Sequence, residues 1–314
     1  MEVTDLSQLR DVIEADGVAI VPGVLSPAEC AALKDGIWHG LEHITSAWTT
    51  PLQRSDVSTW SSFYDLYAKH AMLLQHWEVG HLQAVWDVRQ NPRVCAPFEA
   101  LWATAADDLL CSFDGVSVHL PPEQTGRGWF RQSKLHCDQS YQNPALETVQ
   151  AWVTANEVRE GDATLTYLDG SHRFQQEARD HFQMGRAHWN AMTADMVRFY
   201  TEACGCTQRN IVCPAGSMVL WDSRTVHCGR EALRGREKPN ERYVVYVCMT
   251  PRSRASAKAL QKRRTAFEER RMTGHCPHAP LLFPRLPRTF GQALPEMTRV
   301  PTPLLTALGR RLVG

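Results

Sequence analysis

The order of apolar and polar positions predicts a helix, a strand and a second helix in the first fifty residues. Apolar side chains at helical spacing predict a helix over residues 5–15. A continuous apolar run over residues 18–23, closed by a Pro-Gly pair, predicts a short buried strand. Ser26, the proline after it and Glu29 form a capping-box pattern, so a second helix is expected from residue 27 to about residue 41.

Residues 46–110 show helical or irregular patterns and are rich in tryptophan. Aromatic side chains at this density pack in a core more often than they contact a ligand. The tryptophans to which this applies are Trp48, Trp60, Trp77, Trp86 and Trp102. The segment is therefore predicted to be a helical support for the rest of the domain.

Beyond Cys111 the pattern changes from helical to alternating. Strands are predicted over residues 115–120, 147–156, 163–168, 210–213, 217–221 and 242–249, with a helical insert over residues 187–202. Helices first and strands later favour an antiparallel β structure packed by N-terminal helices, because α/β proteins alternate the two elements.

The last part of the chain predicts a helix and a wrapping tail. The helix, over residues 255–271, is basic, and a solvated outer face is favoured over an anion- or nucleic-acid-binding role. The proline-rich segment from residue 277 carries large apolar residues such as Phe283 and Phe290, so it is expected to wrap the domain.

The chain shows no evident internal boundary and is predicted to form one domain over residues 1–314. Its expected parts are a helical support in residues 1–110, a β core with the insert in residues 111–250, and the helix and tail in residues 251–314.

Charge and composition exclude several classes of protein. Lys plus Arg and Asp plus Glu both total 34, so no basic field attracts nucleic acid or an anionic membrane. The N-terminus lacks the layout of a secretion signal, and no apolar run is long enough to span a membrane. Ten cysteines in such a chain indicate reduced thiols. We therefore expect a cytoplasmic protein with a small-molecule partner, as a monomer or a weakly associating homodimer.

The pair His136 and Asp138 is the first candidate for metal chemistry. Side chains two apart in a strand share a face, so an imidazole and a carboxylate would stand side by side. His227, near the end of another predicted strand, would complete a set of two histidines and one carboxylate. Such a set holds Fe(II) and leaves positions open for substrates and O₂. The spacing alone also fits a chance pair in a loop, and the neighbouring strands favour the metal site.

The strand after this pair carries an apolar face and a second face with Gln150, Trp152 and Thr154. This alternation suits the wall of a barrel whose interior holds a polar ligand. Arg242 opens the last predicted strand, and a buried guanidinium needs an anion. At the back of an iron pocket it would fit the distal carboxylate of 2-oxoglutarate as a bidentate partner. A surface arginine is the alternative that this residue would suggest if it stood alone.

Further motifs occur in a fixed order along the chain. They are the segments 16–26, 118–122, 136–139, 149–156, 161–165, 170–172 and 216–227, followed by Arg242. Together they resemble the phytanoyl-CoA dioxygenase-like group of Fe(II)/2-oxoglutarate oxygenases over most of the chain. The resemblance implies an α+β, mainly β fold: a double-stranded β-helix, or cupin-like jelly roll, with flanking N-terminal and C-terminal helices.

The resemblance also implies roles for single residues. His136, Asp138 and His227 would be the iron ligands. Arg242 would bind the far carboxylate of 2-oxoglutarate, and Trp152 would contact the same cosubstrate.

The chain departs from the family pattern at three places. Asp169 stands where the family usually has a proline, and Gly229 replaces a Ser or Thr that often assists the arginine. The turn at residues 234–238 also lengthens the connection to Arg242.

The implied reaction uses Fe(II), 2-oxoglutarate as cosubstrate and O₂ to oxidise an unactivated C–H bond, with release of succinate and CO₂. Related halogenases have a small residue in place of the carboxylate, so Asp138 favours hydroxylation, desaturation or oxidative ring closure. We expect a small carboxylated or amino-acid-derived metabolite. The candidate substrate-binding residues are Arg131, Lys134, Gln139 and Tyr141, each of which also fits an ordinary loop position.

Three alternatives remain open. The first is a non-catalytic ligand-binding protein on the same fold, against which the intact ligand set argues. The second is an acyl-CoA hydroxylase, for which no phosphate cradle is evident. A nucleic-acid or protein demethylase is disfavoured by the neutral charge.

Overall fold

A computed structural model describes residues 1–66, 73–126, 134–291 and 293–314. The strands in these ranges are β1 Val18–Val21, β2 Leu73–Leu74, β3 Leu109–Cys111, β4 Val116–His119, β5 His136–Cys137, β6 Val149–Thr154, β7 Thr164–Leu168, β8 Asn190–Ala191, β9 Gln208–Asn210, β10 Met218–Asp222, β11 His227–Arg230, β12 Arg242–Val247 and β13 Met249–Pro251.

The α-helices in the same ranges are α1 Leu9–Asp16, α2 Pro27–Ile44, α3 Gln83–Arg89, α4 Pro92–Trp102, α5 Pro122–Thr125, α6 Gln175–Phe182, α7 Ala194–Arg198, α8 Ala257–Glu268 and α9 Ala307–Val313. Short 3₁₀ segments occur at Leu6–Gln8, Val57–Leu66, Val79–His81, Ala106–Asp108, Ser171–Phe174 and Arg252–Arg254, and a π-helical turn at Phe199–Ala203. Within the described part of the chain, no helix is both long and apolar enough to cross a membrane.

Two antiparallel sheets form the β core. The larger has the strand order β1-β10-β6-β12-β4-β2 and the smaller the order β8-β5-β11-β7-β9, with β13 and β3 as a separate pair. Trp152 and Val244 of the larger sheet share one buried cluster with Leu165 and Tyr167 of the smaller. The two sheets therefore pack face to face, which is the predicted jelly roll.

The outer face of the larger sheet packs against the N-terminal helices. Ala151 and Val153 of β6 belong to the same apolar cluster as Ile37 and Leu41 of α2. Because side chains alternate along a strand, the predicted apolar face of β6 points to the helices and its polar-aromatic face to the interior. Helix α2 begins with the predicted capping box, in which the Ser26 hydroxyl accepts from the Glu29 N–H.

The insert is less helical than the sequence pattern indicates. The prediction of a helix over residues 187–202 is wrong for its first part, where β8 pairs with β5 in the smaller sheet. Helix α7 starts only at Ala194, with the Thr193 side chain as its cap. The predicted strand at residues 210–213 is also displaced, since β9 covers Gln208–Asn210. Pairing with neighbouring strands overrides the local apolar pattern at both places.

Parts of the C-terminal tail pack against the N-terminal helices. Val300 and Leu312 lie in the same apolar cluster as the N-terminal helices. The interpretation of α8 as a solvated basic face is wrong at Arg263, which is fully buried. The Arg263 guanidinium instead donates to the main-chain carbonyls of Cys111, Leu312, Val313 and Pro277. This basic residue therefore fastens the tail to the domain.

All ten cysteines are free thiols, in agreement with the prediction of reduced cysteines. Burial raises the pKa of Cys111 and of Cys213 to about 11, which keeps both thiols protonated at neutral pH. These cysteines therefore pack as small apolar side chains.

Candidate metal centre

The strand pairing of the smaller sheet brings His136, Asp138 and His227 together. His136 in β5 lies directly opposite His227, which opens β11, and Asp138 follows β5. The ligand atoms of the three residues all lie within 4.8 Å of one another. Asp138 Oδ2 is 3.2 Å from His227 Nε2, and Asp138 Oδ1 is 3.8 Å from His136 Nε2. This is the donor set expected for Fe(II) bound on one face.

Both imidazoles present the same nitrogen to the centre. His136 Nδ1 lies 2.7 Å from the carbonyl of Lys134, and His227 Nδ1 lies 2.9 Å from the carbonyl of Thr225. A carbonyl can only accept, so each Nδ1 carries the hydrogen and each Nε2 has a free lone pair. Burial, and after it the electrostatic interaction with the neighbouring His227 imidazole, lowers the pKa of His136, which favours the neutral form that a metal needs.

The carboxylate of Asp138 is buried and oriented by a neighbouring strand. Burial would raise the pKa of Asp138, but the charge of His275 and the contacts with His227 and His136 lower it below its ordinary value. Gln150 donates from Nε2 to Asp138 Oδ2 over 2.6 Å. Gln150, on the inward face of β6, therefore supplies a hydrogen bond that fixes the position of Asp138 Oδ2.

Backbone contacts hold the two ligand-bearing segments in place. The carbonyl of Ser223 accepts from the N–H groups of Asp138 and Gln139. Asp222 Oδ1 accepts from the N–H of Arg224, so Asp222 shapes the turn before His227. These contacts join the ends of β5 and β10 beneath the centre.

The segment Gly170-Ser171-His172 supports the turn before His227 and contributes no side chain to the metal centre. The Ser171 hydroxyl accepts from the N–H of Val226, one residue before the ligand His227. His172 is buried and bonds through Nε2 to the carbonyl of Glu14, 3.0 Å away. His172 thus ties this segment to the end of α1.

Arg242 lies buried between the sheets with an unused donor. Its Nε donates to the Ser117 hydroxyl and its Nη1 donates to the carbonyl of Ala163, and each of these hydrogen bonds is 3.0 Å long. The guanidinium stands over the ring of Trp152 at 5.0 Å. Among the described residues, Arg242 Nη2 has no hydrogen-bond acceptor. A buried charged donor without a partner is costly, so this atom fits a ligand carboxylate.

Two departures from the family pattern are explained by the local geometry. Ser117, on the neighbouring strand β4, provides the hydroxyl that Gly229 cannot. The lengthened turn places Arg236 between two carboxylates, Asp162 and Glu123. The extra residues therefore tie the turn to α5 and to the loop before β7.

The four candidate substrate-binding residues have different placements. Tyr141 is fully buried, and its hydroxyl lies 3.2 Å from that of Tyr200 in an apolar cluster outside the space between the sheets. This corrects its assignment, because the side chain is committed to packing. Gln139 donates from Nε2 to the carbonyls of Asn143 and Ala145. Lys134 is exposed, and Arg131 lies outside the described residues.

Several residues near the centre were not identified from the sequence. Tyr246 follows Arg242 on the inward face of β12, and burial raises the pKa of its hydroxyl although the neighbouring charge of Arg242 lowers it. Burial disfavours the charged form of His275, but the carboxylate of Asp138, the contact with Cys276 and Asp114 raise its pKa to about 9. The N–H of Thr273 donates to the carbonyl of Phe113, which places this segment beside the connection between β3 and β4. Strand alternation places Tyr246 on the face of Arg242, whereas no local pattern marks His275, because the fold brings it in from a distant segment.

Trp189 is a further unpredicted neighbour of the metal ligands. Its ring centroid lies 5.5 Å from that of His136. The side chain is 57% exposed, although tryptophan is normally buried.

Comparisons with known proteins agree with this geometry. The sequence profile described as Phytanoyl-CoA dioxygenase (PhyH) matches residues 13–233. "Ava biosynthesis cluster protein O" of Aspergillus versicolor is 27% identical over 278 residues, which cover 86% of this chain and 85% of that protein.

Solved structures share the fold at low sequence identity. The α-ketoglutarate-dependent carbocyclase SnoK from nogalamycin biosynthesis matches with a TM-score of 0.50 and 17% identity, over 77% of this chain and 82% of that one. The epimerase SnoN, in complex with Fe³⁺, α-ketoglutarate and nogalamycin RO, matches with a TM-score of 0.50 and 18% identity, over 90% of this chain and 97% of that one.

Proposed function

Because the chain belongs to the phytanoyl-CoA dioxygenase (PhyH) family and is a 2-oxoglutarate-dependent non-haem iron oxygenase, we propose that it oxidises an unactivated C–H bond of a small carboxylated or amino-acid-derived metabolite. The outcome is hydroxylation, desaturation or oxidative ring closure. The relative from a biosynthesis cluster supports a role in specialised metabolism. Neighbours described as a carbocyclase and an epimerase show that the fold alone does not select the outcome.

Each residue of the centre has a proposed role. His136, Asp138 and His227 hold Fe(II) through two Nε2 atoms and a carboxylate, and Gln150 orients that carboxylate. Arg242 receives the distal carboxylate of 2-oxoglutarate, with Trp152 packed against the guanidinium. Bound at these residues, Fe(II) with 2-oxoglutarate and O₂ would supply the oxidant for the C–H bond, with succinate and CO₂ as the co-products. The observation that supports this proposal most strongly is that the buried Arg242 Nη2 atom has no hydrogen-bond acceptor among the residues described.

The first test is an anaerobic titration with Fe(II) and 2-oxoglutarate that follows the visible metal-to-ligand charge-transfer band. We expect the band in the wild type and its loss in His136→Ala, since one of three ligands is removed. His39→Ala, on the exposed face of α2, is the matched control and keeps the band. Absence of the band in the wild type would contradict the proposal and favour a non-catalytic ligand-binding protein with the same fold.

The same titration tests the cosubstrate site. Arg242→Met is expected to bind Fe(II) normally but 2-oxoglutarate more weakly, by about thirtyfold or more, because a buried charge pair loses one partner. Arg198→Met, on the exposed surface of α7, serves as the control. Unchanged 2-oxoglutarate affinity in Arg242→Met would remove this arginine from the site.

Succinate release then tests the substrate class. Candidate metabolites are compared with their amides, which keep the size but lose the carboxylate charge. Stimulation by the acids and not by the amides is expected. Stimulation by acyl-CoA esters alone would contradict the proposal in favour of an acyl-CoA hydroxylase.

A further inference from the structure

Trp189 combines three unusual features at the edge of the metal centre. It is a large apolar side chain with 57% exposure, and its ring lies against the ligand His136. Its backbone φ is +57°, in the left-handed region that non-glycine residues rarely adopt. Strain of this kind persists where the surrounding structure enforces it, and it occurs preferentially at functional sites.

The surrounding structure does fix this residue. The N–H of Trp189 donates to the carbonyl of Asp138 over 3.0 Å, and β8 continues the pairing with Ala191 opposite His136. Ala191 of β8 pairs with His136 and lies on its side of the sheet, and the ring centroid of Trp189, which precedes the strand, is 5.5 Å from that of His136. Met192 is buried in the cluster behind the smaller sheet. The ring of Trp189 is therefore on the side that carries the metal ligands.

This arrangement leaves much of a rigidly placed aromatic surface uncovered beside the centre. One part of the ring contacts the imidazole of His136, and more than half of the side chain is open to solvent. An apolar surface in this position gains free energy when a second flat apolar group covers it. The reacting molecule is the group that must approach the metal ligands from the open side.

We propose that Trp189 is the specificity-determining platform on which a planar, unsaturated part of the oxidised substrate stacks. The inference rests on the proposed oxygenase function and deepens it. It assigns the substrate a flat aromatic or conjugated portion beside the C–H bond that reacts. A saturated ring of equal size presents axial hydrogens and no π face, so it would fit the platform less well.

The test compares two carboxylates of matched shape, 2-naphthoate and trans-decalin-2-carboxylate. Their binding to the anaerobic Fe(II)·2-oxoglutarate protein is measured by equilibrium dialysis. The wild type is expected to bind naphthoate more tightly than the saturated acid, by about tenfold. Trp189→Ala should lose this preference and Trp189→Phe should keep most of it. Leu281→Ala, at another exposed apolar side chain, should behave as the wild type.

The charge-transfer band is recorded for every variant and separates the outcomes. Equal binding of the two acids by a wild type that forms the band would overturn the platform and leave the oxygenase proposal intact. Loss of the band in Trp189→Ala would also overturn it, because the ring would then be a shield for His136. A wild type that forms no band defeats the oxygenase proposal itself.

Discussion

Gln150 shows how one hydrogen bond outside the ligand set controls the centre. Its amide donates to Asp138 Oδ2, the same oxygen that lies 3.2 Å from His227 Nε2. Gln150→Leu keeps the approximate volume but removes the donor, so the carboxylate loses its fixed orientation. We expect Fe(II) affinity to fall by about tenfold to a hundredfold, the usual effect of losing such an outer contact.

The measurement is anaerobic titration calorimetry with Fe(II), accompanied by urea unfolding of each variant. Gln261→Leu, on the exposed side of α8, is the control for the same substitution. Full iron affinity in a folded Gln150→Leu protein would show that the Asp138 carboxylate is oriented without this bond.

At the residue scale, the sequence was sufficient to select the three residues of the proposed metal centre, which the fold brings together, but not their supports. His136 and Asp138 could be predicted because alternation in a strand is a local rule. Ser117 could not, because it reaches Arg242 only through the register that sets Val244 opposite Ser117. Tyr141 was assigned wrongly because nearness to the motif in sequence says nothing about which side of the smaller sheet a side chain faces.

Among the elements, the start of helix α2 links a local sequence signal to tertiary packing. Glu29 accepts from the N–H and hydroxyl of Ser26 and also binds Asn91 and Arg93 at the start of α4. The hydroxyl and N–H of Ser26 lower the pKa of Glu29 to about 2 from 4.5. Its ionised form is therefore favoured by folding.

This predicts a pH-dependent effect of Glu29→Gln. The pKa of Glu29 is lower in the folded state than in the unfolded state. The ionised carboxylate therefore contributes fully to the free energy of unfolding above pH 4.5, and this contribution is lost as the pH falls toward 2. The variant should be less stable than the wild type by about 1 kcal/mol at pH 7, in line with helix-cap losses and screening of this half-exposed carboxylate. The difference should shrink steadily below pH 4.5. Urea unfolding at pH 7, 4.5 and 3.5 measures it, with the exposed Glu202→Gln as control.

Helices α1 and α2 could be predicted because their ends carry chemical signals. Helix α2 has its capping box, and α1 stops at Gly17 with φ +74°. Strand β8 has no such signal: its residues pair with β5 only because the jelly roll has already placed the metal-bearing strand there. The strand that directly follows Trp189 is thus the one that sequence periodicity misassigned.

On the scale of the whole molecule, the tail is fastened by buried charges as well as by apolar contacts. Glu78 is buried and binds the guanidinium groups of Arg270 and Arg299 as well as the N–H of Val300. Arg263 joins α8, β3 and the last residues of the chain. The periodicity of α8 gave no reason to separate Arg263 from its exposed neighbours, since the partners are carbonyls from remote segments.

Substitution of Arg263 therefore tests whether iron binding at the metal centre depends on the attachment of the tail. Arg263→Met leaves the carbonyls of Cys111, Leu312 and Val313 without their donor, and each buried acceptor that is abandoned costs free energy. We expect a loss of about 3 kcal/mol or more in the free energy of unfolding. Because Pro277 is also released, two residues from His275, the segment beside the centre should loosen as well.

Urea unfolding measures the loss of stability, and limited proteolysis shows whether the tail is cleaved first. The neighbouring Arg264→Met is a close control, because Arg264 is exposed and bonds to Gly314 and Gln261 at the surface. If the tail of Arg263→Met is cleaved early and the variant also binds iron more weakly, the tail contributes to the structure of the metal centre. Equal unfolding energies for the two variants would contradict the prediction, because the carbonyls would then have found water or new donors at no cost.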